Sequence, residues 1–320
     1  MTYYNAVFDD KQYMAITKKA ANYWLESAAA NAIPLIITEV PDAKQYTHVV
    51  FAEAGGVTAG LEWVEAGEKM QVRHDHEVFE LPRYQGLIQI RNQDIANFGE
   101  SLIADKHAAE IEELVHEIDE GMFHGPKNNQ GFQLQEGFLG QLTPLIDLTE
   151  ATGHDCSVKG EIWHVIKSMI EDIPLAMRQK GPDMVMYIAE KVIAEAQDPN
   201  RIYQDMVEWD FIDRQFISGG VHGRKIGQVI ITDKILGEAG DGTVAWASAN
   251  GTSLGDTLGT HGRILIFVPD KKWLARVVSR GFSLIGEEQH MLHVDQLYGY
   301  RGRVCVFNGQ AINITEQLTF

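Results

Sequence analysis

Cysteine and long apolar runs are both scarce in this 320-residue chain. Cys156 and Cys305 are the only cysteines and lie far apart, so neither a disulfide framework nor a cysteine-based zinc cluster is indicated, and a reducing interior suits the chain best. No apolar run approaches the roughly 18 residues of a membrane span. The segment Met1–Asn5 lacks the basic and apolar regions of a secretion signal. The sequence therefore predicts neither a membrane span nor a secretion signal.

Positive charge is also scarce. The chain has 27 Lys and Arg against 45 Asp and Glu, a formal net charge of −18. A specific duplex-binding surface needs clustered Lys and Arg, so this balance argues against one. The negative charge remains compatible with a shell around nucleic acid, because an acidic wall repels phosphate and does not bind the nucleic acid packed inside it. Plain solubility explains most acidic chains equally well.

The segment from about residue 57 to 79 has the pattern of a long β-hairpin. Apolar and polar residues alternate in Val57–Trp63 and again in Lys69–Phe79, and the Gly-containing stretch Glu65–Glu68 lies between them. Strands of eight to ten residues reach roughly 25–35 Å at about 3.3 Å per residue. A two-stranded arm of that length is marginal alone in water, so we expect it to lie against something, with another subunit as one candidate.

A very long amphipathic helix is predicted next. Apolar residues recur at helical spacing from Ile95 to Met122, with acidic residues largely on the other side, and Gly121 and the pair Gly125–Pro126 end the pattern. About 27 residues at 1.5 Å each give a helix of roughly 40 Å. Taken alone, such a helix fits the core of an ordinary α+β protein. The hairpin in front of it is what makes the order unusual.

The second half of the chain reads as an α/β unit followed by a β-rich region. The α/β unit comprises a helix over Val158–Met177 with Ser157 as N-cap and a kink at Pro174, a buried strand Met184–Ile188 and a helix Ala189–Gln197. Further predicted strands, here and earlier in the chain, are Ile33–Ile37, Leu87–Ile90, Ile226–Thr232, Thr243–Ser248, Arg263–Val268, Trp273–Val278 and Arg303–Phe307. The fold class is therefore α+β.

Two kinds of motif suggest chemistry without establishing it. The glycine-rich stretches Gly55–Gly60 and Gly237–Gly242 lack phosphate-loop spacing and context, so we interpret them as turns. His74-Asp75-His76 fits histidines on a partly buried strand face better than a metal set with no third member.

The spacing Glu-x-x-His occurs three times, at Glu113/His116, Glu161/His164 and Glu287/His290. In four-helix di-iron proteins two such pairs bind metal. Only two long helices are evident here, so we assign no catalytic, cofactor-binding or metal residues. A soluble di-metal enzyme using these pairs stays open as an alternative.

The order of parts resembles the major capsid proteins of tailed phages, the Hong Kong 97-type fold. In this sequence Glu117–Gly125 looks like that family's acidic then "Phe-x-Gly" exit from its long helix. Leu87–Arg91 is similar to the apolar strand that encapsulins, cellular relatives of the fold, carry before the helix. Ile264–Asp270, followed by Gly302–Val304 and Asn308, resembles the closing pattern.

The resemblance implies a division of the chain into named parts. These are an N-terminal arm over 1–45, an extended-loop hairpin over 46–86, a peripheral domain with the long spine helix over 87–150, an α/β axial domain over 151–260, and a return to axial and peripheral strands over 261–320. Many phage precursors carry a helical scaffolding segment in front. Here the arm starts near Met1, which implies a separate scaffold protein or none.

The resemblance also implies a function. It predicts a structural capsid protein without a catalytic role or cofactor, whose hexamers and pentamers form an icosahedral virus head around double-stranded DNA, with separate scaffolding and portal proteins as partners. The expected location is the virion, assembled in the host cytoplasm. The expected intersubunit contacts are Trp63, Glu65, Glu68, Lys69 and Arg73. An encapsulin-type compartment is the alternative within the fold.

Overall fold

The computed structural model describes residues 29–53, 73–91, 109–126, 134–142, 156–221, 223–236, 261–291, 293–315 and 318–319. Its strands follow in chain order: β1 Leu35–Ile37, β2 Gln45–Glu53, β3 Arg73–Glu80, β4 Arg83–Arg91, β5 Met184–Ile188, β6 Ile202–Tyr203, β7 Met206–Val207, β8 Ile226–Ile231, β9 His261–Gly262, β10 Ile264–Phe267, β11 Leu274–Gln289, β12 His293–Val306, β13 Ile312–Ile314 and β14 Leu318–Thr319.

The helices are fewer. They comprise α1, whose described part covers residues 109–124, α2 Glu161–Asp172, α3 Leu175–Lys180, α4 Glu190–Ala196 and α5 Glu208–Ile212. A π-helical turn continues α5, and 3₁₀ turns lie at Ala29–Ala32, Leu139–Gln141, Asp233–Ile235 and Gly309–Ala311. No helix among the described residues is long and apolar enough to cross a membrane. The mixture of helices with largely antiparallel sheets confirms the α+β class.

Two four-stranded sheets form the framework. The first has the order β1-β11-β12-β4, in which β1 runs parallel to β11 and the other neighbours are antiparallel. The second has the order β13-β10-β5-β8, with β5 parallel to β8 and antiparallel to β10. All five residues of β5 are buried, which confirms the prediction for Met184–Ile188. One continuous apolar core contacts both sheets, α1 and α2.

Helix α2 forms where the apolar spacing predicts, with Ile162, Val165, Ile166, Met169 and Ile170 all buried. Its start differs from the prediction. The helix begins at Glu161 and its N-cap is Gly160, whose φ of 90° lies in the left-handed region that favours glycine, so Ser157 is not the cap.

Pro174 lies at a break between α2 and α3, whereas the sequence predicts a single helix with a kink there. Proline removes a helical hydrogen bond and disfavours the helical conformation of the residue before it. Ile173 accordingly adopts an extended backbone and ends α2.

The described part of α1 packs its predicted apolar face inward. Ile111, Val115, Ile118 and Met122 are buried, whereas Leu114 is only partly buried against the core. Leu114 nevertheless sets a close approach to β4, since a Cβ on Gly86 would lie 2.1 Å from its Cδ2 atom. The predicted start of the helix, from Ile95 onward, lies outside the described residues.

Candidate functional site

The β2–β3 hairpin is the feature most unlike an ordinary core element. Its register runs from Gln45 opposite Glu80 to Glu53 opposite Arg73, and among the described residues neither strand pairs with a third. Nine residues at about 3.3 Å each extend roughly 30 Å. The observed β3 confirms the described part of the strand predicted over Lys69–Phe79. Its partner β2 was not predicted, and the predicted partner Val57–Trp63 lies outside the described residues.

The base of this hairpin is held by a small apolar cluster separate from the main core. This hairpin-root cluster consists of Phe79, Leu81, Ala275, Val277 and Cys305, all buried. It joins the end of β3 to β11 and β12 of the first sheet. The hairpin is therefore attached at its root by side-chain packing as well as by the chain itself.

Aromatic rings add to this attachment. The His48 imidazole stacks on the Phe307 ring with centroids 3.8 Å apart and planes 9° apart. Phe79 and Tyr46 also contact Phe307, at 5.6 and 6.1 Å between centroids. Burial lowers the pKa of His48, and Glu77 acts in the opposite direction. Burial therefore favours the neutral form of the stacked imidazole.

Asp42 fixes the turn that leads into β2. Its φ of 61° lies in the left-handed region, which aspartate tolerates better than most residues. Its carboxylate lies 3.3 Å from Arg280 and 3.5 Å from Arg301, and its backbone carbonyl accepts a 2.7 Å hydrogen bond from Arg301. The Ser279 hydroxyl donates to the carbonyl of the next residue, Ala43. These contacts fix the direction in which the hairpin leaves the first sheet.

Large apolar side chains near the root are exposed in the single subunit. Ile37 is 71% exposed, Val40 64% and Val78 54%. Ile37 belongs to β1, which is an edge strand of the first sheet. Single exposed apolar residues are ordinary, but several beside an unpaired hairpin and a sheet edge are typical of a surface that another chain covers.

The predicted contact residues mostly fall on the undescribed part of the hairpin. Trp63, Glu65, Glu68 and Lys69 lie outside the described residues. Arg73 is the first residue of β3, and its backbone pairs with Glu53 at the far end of the described hairpin. The assignment of these five residues as intersubunit contacts stays a prediction.

A buried carboxylate that the sequence did not single out joins α1 to two distant segments. Asp119 is fully buried, accepts hydrogen bonds from the backbone N–H groups of Ala29 and Ala30 at 3.2 and 3.1 Å, and forms an ion pair with Lys234. The Tyr187 hydroxyl donates to the Ala29 carbonyl at 2.6 Å, and burial raises the pKa of Tyr187 well above its usual value. The start of the described chain is thus fixed to the long helix.

The Glu-x-x-His pairs do not form a shared metal centre within the described ranges. Glu113/His116 lies on α1, Glu161/His164 on α2, and Glu287/His290 on and just beyond β11. His116 lies 3.9 Å from Glu120 on its own helix. Among the described residues, one group of three side chains of metal-ligand type lies close together. His290 is its only member from the three Glu-x-x-His pairs.

The two cysteines are poor candidates for a nucleophile. Cys156 and Cys305 are both buried, and burial raises the pKa of the Cys305 thiol to about 12. A thiol with so high a pKa stays protonated at neutral pH, and only the thiolate is an effective nucleophile.

Comparison with known proteins finds similarity in structure and not in sequence. No family model matches the chain, and no curated protein matches its sequence. Among solved structures, the capsid of Myoviridae phage XM1 has a TM-score of 0.55 at 14% identity, with 89% of each chain covered. The virus-like particle from Pyrococcus furiosus has a TM-score of 0.54 at 11% identity, covering 96% of this chain and 99% of its own.

A third structure extends the likeness over the full length. The capsid of a native GTA particle has a TM-score of 0.55 at 11% identity and covers 100% of this chain and 95% of its own. At such identities the likeness establishes the fold, and it does so over nearly the whole of both chains. The chain has the fold of phage and virus-like-particle capsid proteins.

Proposed function

We propose that this chain is a major capsid protein of the Hong Kong 97 type. Its copies assemble as hexamers and pentamers into an icosahedral virus head around double-stranded DNA. The observation that carries the proposal is the likeness to capsid subunits over 89–100% of this chain and 89–99% of theirs. A shared single domain would match only part of one chain. Here the likeness covers 89% or more of both chains in each pair.

The unpaired hairpin supplies the physical basis for assembly. A long two-stranded ribbon is marginal alone, and β2–β3 is secured at its root by the hairpin-root cluster, while neither strand pairs with a third among the described residues. We place the far end of the hairpin and the exposed Ile37, Val40 and Val78 against a neighbouring subunit. This contact buries surface that the single subunit leaves in water. Repetition around a shell makes many modest interfaces act together.

We propose that the parts of the subunit follow the layout of that fold. We assign 1–45 to the N-terminal arm, 46–86 to the extended loop, 87–150 to the peripheral domain with α1 as its spine, 151–260 to the axial domain, and 261–320 to the returning strands. Trp63, Glu65, Glu68, Lys69 and Arg73 are the proposed contacts of the extended loop with its neighbour. The subunit has a structural role, and the shell is its product.

Separate scaffolding and portal proteins are the proposed partners. One of the similar structures is the satellite phage P4 procapsid, which includes a size determination protein, and it has a TM-score of 0.51 at 13% identity. By analogy, assembly of this subunit into shells of one size depends on a second protein. Assembly takes place in the host cytoplasm and ends in the virion. The net charge of −18 suits the inner surface of a shell that encloses DNA without sequence-specific binding.

A compartment of the encapsulin type is the second candidate. The likeness to the Pyrococcus furiosus virus-like particle over 99% of that chain favours it specifically. Both functions require a shell, and they differ in what the shell encloses. Nuclease-resistant double-stranded DNA inside particles from the native source supports the virus head, whereas a protein cargo without DNA supports the compartment.

Size-exclusion chromatography with light scattering tests assembly itself. The purified full chain should elute as megadalton particles or as capsomers, many times the 35.8 kDa of one chain. A monomer or dimer across a range of salt concentrations contradicts the proposal and favours a soluble enzyme or binding protein.

A further inference from the structure

A group of histidine and carboxylate side chains lies at the far end of the long β11–β12 hairpin. The backbone N–H of His290 donates to the carbonyl of His293 at 2.8 Å and closes the turn. His290 Nε2 lies 3.4 Å from one Asp295 carboxylate oxygen, and His293 Nε2 lies 3.5 Å from the other. The two imidazole centroids are 4.6 Å apart. One ligand atom from each of the three side chains lies within 4.8 Å of the other two.

Neighbouring strands complete the surroundings of this group. Gln89 of β4 pairs with Asp295 in register and donates to its Oδ1 atom at 3.1 Å, which fixes the carboxylate. Glu288 pairs with Asp295 from the other side, and its carboxylate lies 4.0 Å from His290 Nε2. Arg91, the cation that pairs with His293 in register, is exposed. Two carboxylates therefore face the two imidazoles.

The spacing of these atoms fits a tetrahedral metal ion. Zinc binds imidazole nitrogen and carboxylate oxygen at about 2.0–2.2 Å, so two of its ligands are about 3.3–3.5 Å apart. The observed distances of 3.4 and 3.5 Å join the two nitrogens to different Asp295 oxygens, and one ligand atom from each side chain lies within 4.8 Å of the other two, so small side-chain rotations bring all three within reach of one ion. An imidazole N–H can face the Asp295 carboxylate at these distances, whereas a deprotonated imidazole nitrogen is an acceptor that can bind a cation shared with that carboxylate.

We propose that His290, His293 and Asp295 bind a divalent transition metal ion of the zinc class at the tip of the β11–β12 hairpin. Imidazole and carboxylate ligands together select zinc and its neighbours over calcium or magnesium, which prefer oxygen alone. Gln89 holds Asp295 in place from outside the ligand set, as supporting residues do in other metal sites. Because His290 is exposed, solvent reaches this group and can supply a further ligand.

Isothermal titration of the full-length protein with zinc chloride, after chelator treatment and dialysis, tests this site. The wild-type chain should bind one zinc ion at this site, and His290→Ala and His293→Ala should each weaken that binding at least about tenfold. Asp295→Asn preserves the shape of the side chain and the contact with Gln89 while removing the charge, and should weaken binding similarly. His116→Ala removes an exposed histidine on α1 and should leave the titration unchanged.

Cobalt substitution provides a second readout that does not depend on the heat of binding. Co²⁺ in the wild-type protein should show the intense visible absorption of tetrahedral coordination, and His293→Ala should lose it. Circular dichroism establishes that each variant is folded. Equal zinc binding by the wild type and both histidine variants overturns the proposal, as does a wild-type titration without a saturable site. Neither result bears on whether the chain assembles.

Discussion

At the residue scale, the carboxylate of Asp119 links parts of the chain far apart in sequence. It is fully buried on α1, accepts hydrogen bonds from Ala29 and Ala30, and pairs with Lys234. In the sequence it belongs to the acidic run at the end of the predicted helix, and its spacing of four residues from Val115 places it on the apolar face. Its partners are remote, so sequence periodicity could not have identified its role.

Removing the charge of Asp119 should destabilise the subunit strongly. Asp119→Asn leaves the Lys234 ammonium without its counterion in a mostly buried position, which costs about 3–5 kcal/mol. Urea unfolding of disassembled subunits measures the loss. The double variant Asp119→Asn with Lys234→Met should lose less than the sum of the single variants, because the two groups are coupled. Additive losses would show that the ion pair contributes nothing.

Substitutions along α1 should follow the observed burial. Ile111→Ala removes a fully buried side chain and should cost about 2–5 kcal/mol. Leu114→Ala, at a partly buried site, should cost roughly half as much, and Glu113→Ala, at an exposed site, less than about 0.5 kcal/mol. Urea unfolding gives all three values. A loss for Ile111→Ala no larger than that for Glu113→Ala would mean that this face is not buried.

At the element scale, the hairpins show what residue patterns predict well and poorly. The strand over Lys69–Phe79 was predicted because its apolar residues alternate, and β3 confirms the described part. The sequence of its partner β2 has apolar residues at both odd and even positions, so no alternation distinguishes it. Long-range pairing then decides which segment joins β3.

The sequence pattern underestimates the length of the β11–β12 hairpin for a different reason. The sequence predicted strands at Trp273–Val278 and Arg303–Phe307, whereas β11 extends to Gln289 and β12 starts at His293. Gly281 and Gly299 lie within the strands, although glycine weakens a strand pattern in the sequence. The ladder shifts register near Val278, Arg280 and Leu284, and β-bulges of this kind tolerate glycine inside a strand.

The metal site proposed at this hairpin tip was missed for the same reason. The spacing Glu287-x-x-His290 resembles the helical metal-binding motif, whereas the chain there is a strand and a tight turn. The signal that could have identified the site is the spacing His290-x-x-His293-x-Asp295 across that turn. Two strand residues separated by one side chain point to the same face, and the turn brings His290 back beside them.

Attachment of the β2–β3 hairpin at its root should weaken in mild acid. The pKa of His48 is lowered from 6.5 by burial, so protonation is harder in the docked state than in the free one. The stabilisation is complete above about pH 6.5 and is lost as the pH falls through the lower pKa of the docked state. Hydrogen exchange of β2 and β3 amides, corrected for the intrinsic effect of pH, should accelerate between pH 7.5 and 5.5 relative to β5.

His48→Phe is the matched variant for this effect. Phenylalanine keeps a ring against Phe307 and cannot be protonated, so the acid-dependent acceleration should disappear. The same acceleration in His48→Phe would assign the pH dependence to other groups.

Shortening the hairpin should separate folding from assembly. Replacing residues 54–72 with Asn-Gly joins Glu53 to Arg73 by a two-residue turn that suits paired strands. The hairpin-root cluster stays intact, so the subunit should fold with an unchanged thermal midpoint. It should no longer form closed shells, because the proposed contacts Trp63, Glu65, Glu68 and Lys69 are gone. Closed shells from this variant, seen by electron microscopy, would show that the hairpin tip is dispensable.

At the scale of the whole molecule, the order of elements predicted the fold better than any single motif. An unpaired hairpin, a long helix, an α/β unit and returning strands suggested the capsid fold while each quoted motif was degenerate. Likeness at 11–14% identity over nearly complete chains is consistent with a fold kept by layout and burial. The contacts between copies could not be predicted in this way, because they depend on surfaces that only the assembly brings together.

Cryo-electron microscopy of the purified full-length protein tests assembly most directly. We expect closed icosahedral shells built from pentamers and hexamers, with density for the β2–β3 hairpin crossing onto an adjacent subunit. Particles that remain small, uniform oligomers, under solution conditions spanning high and low salt, would contradict the proposed function.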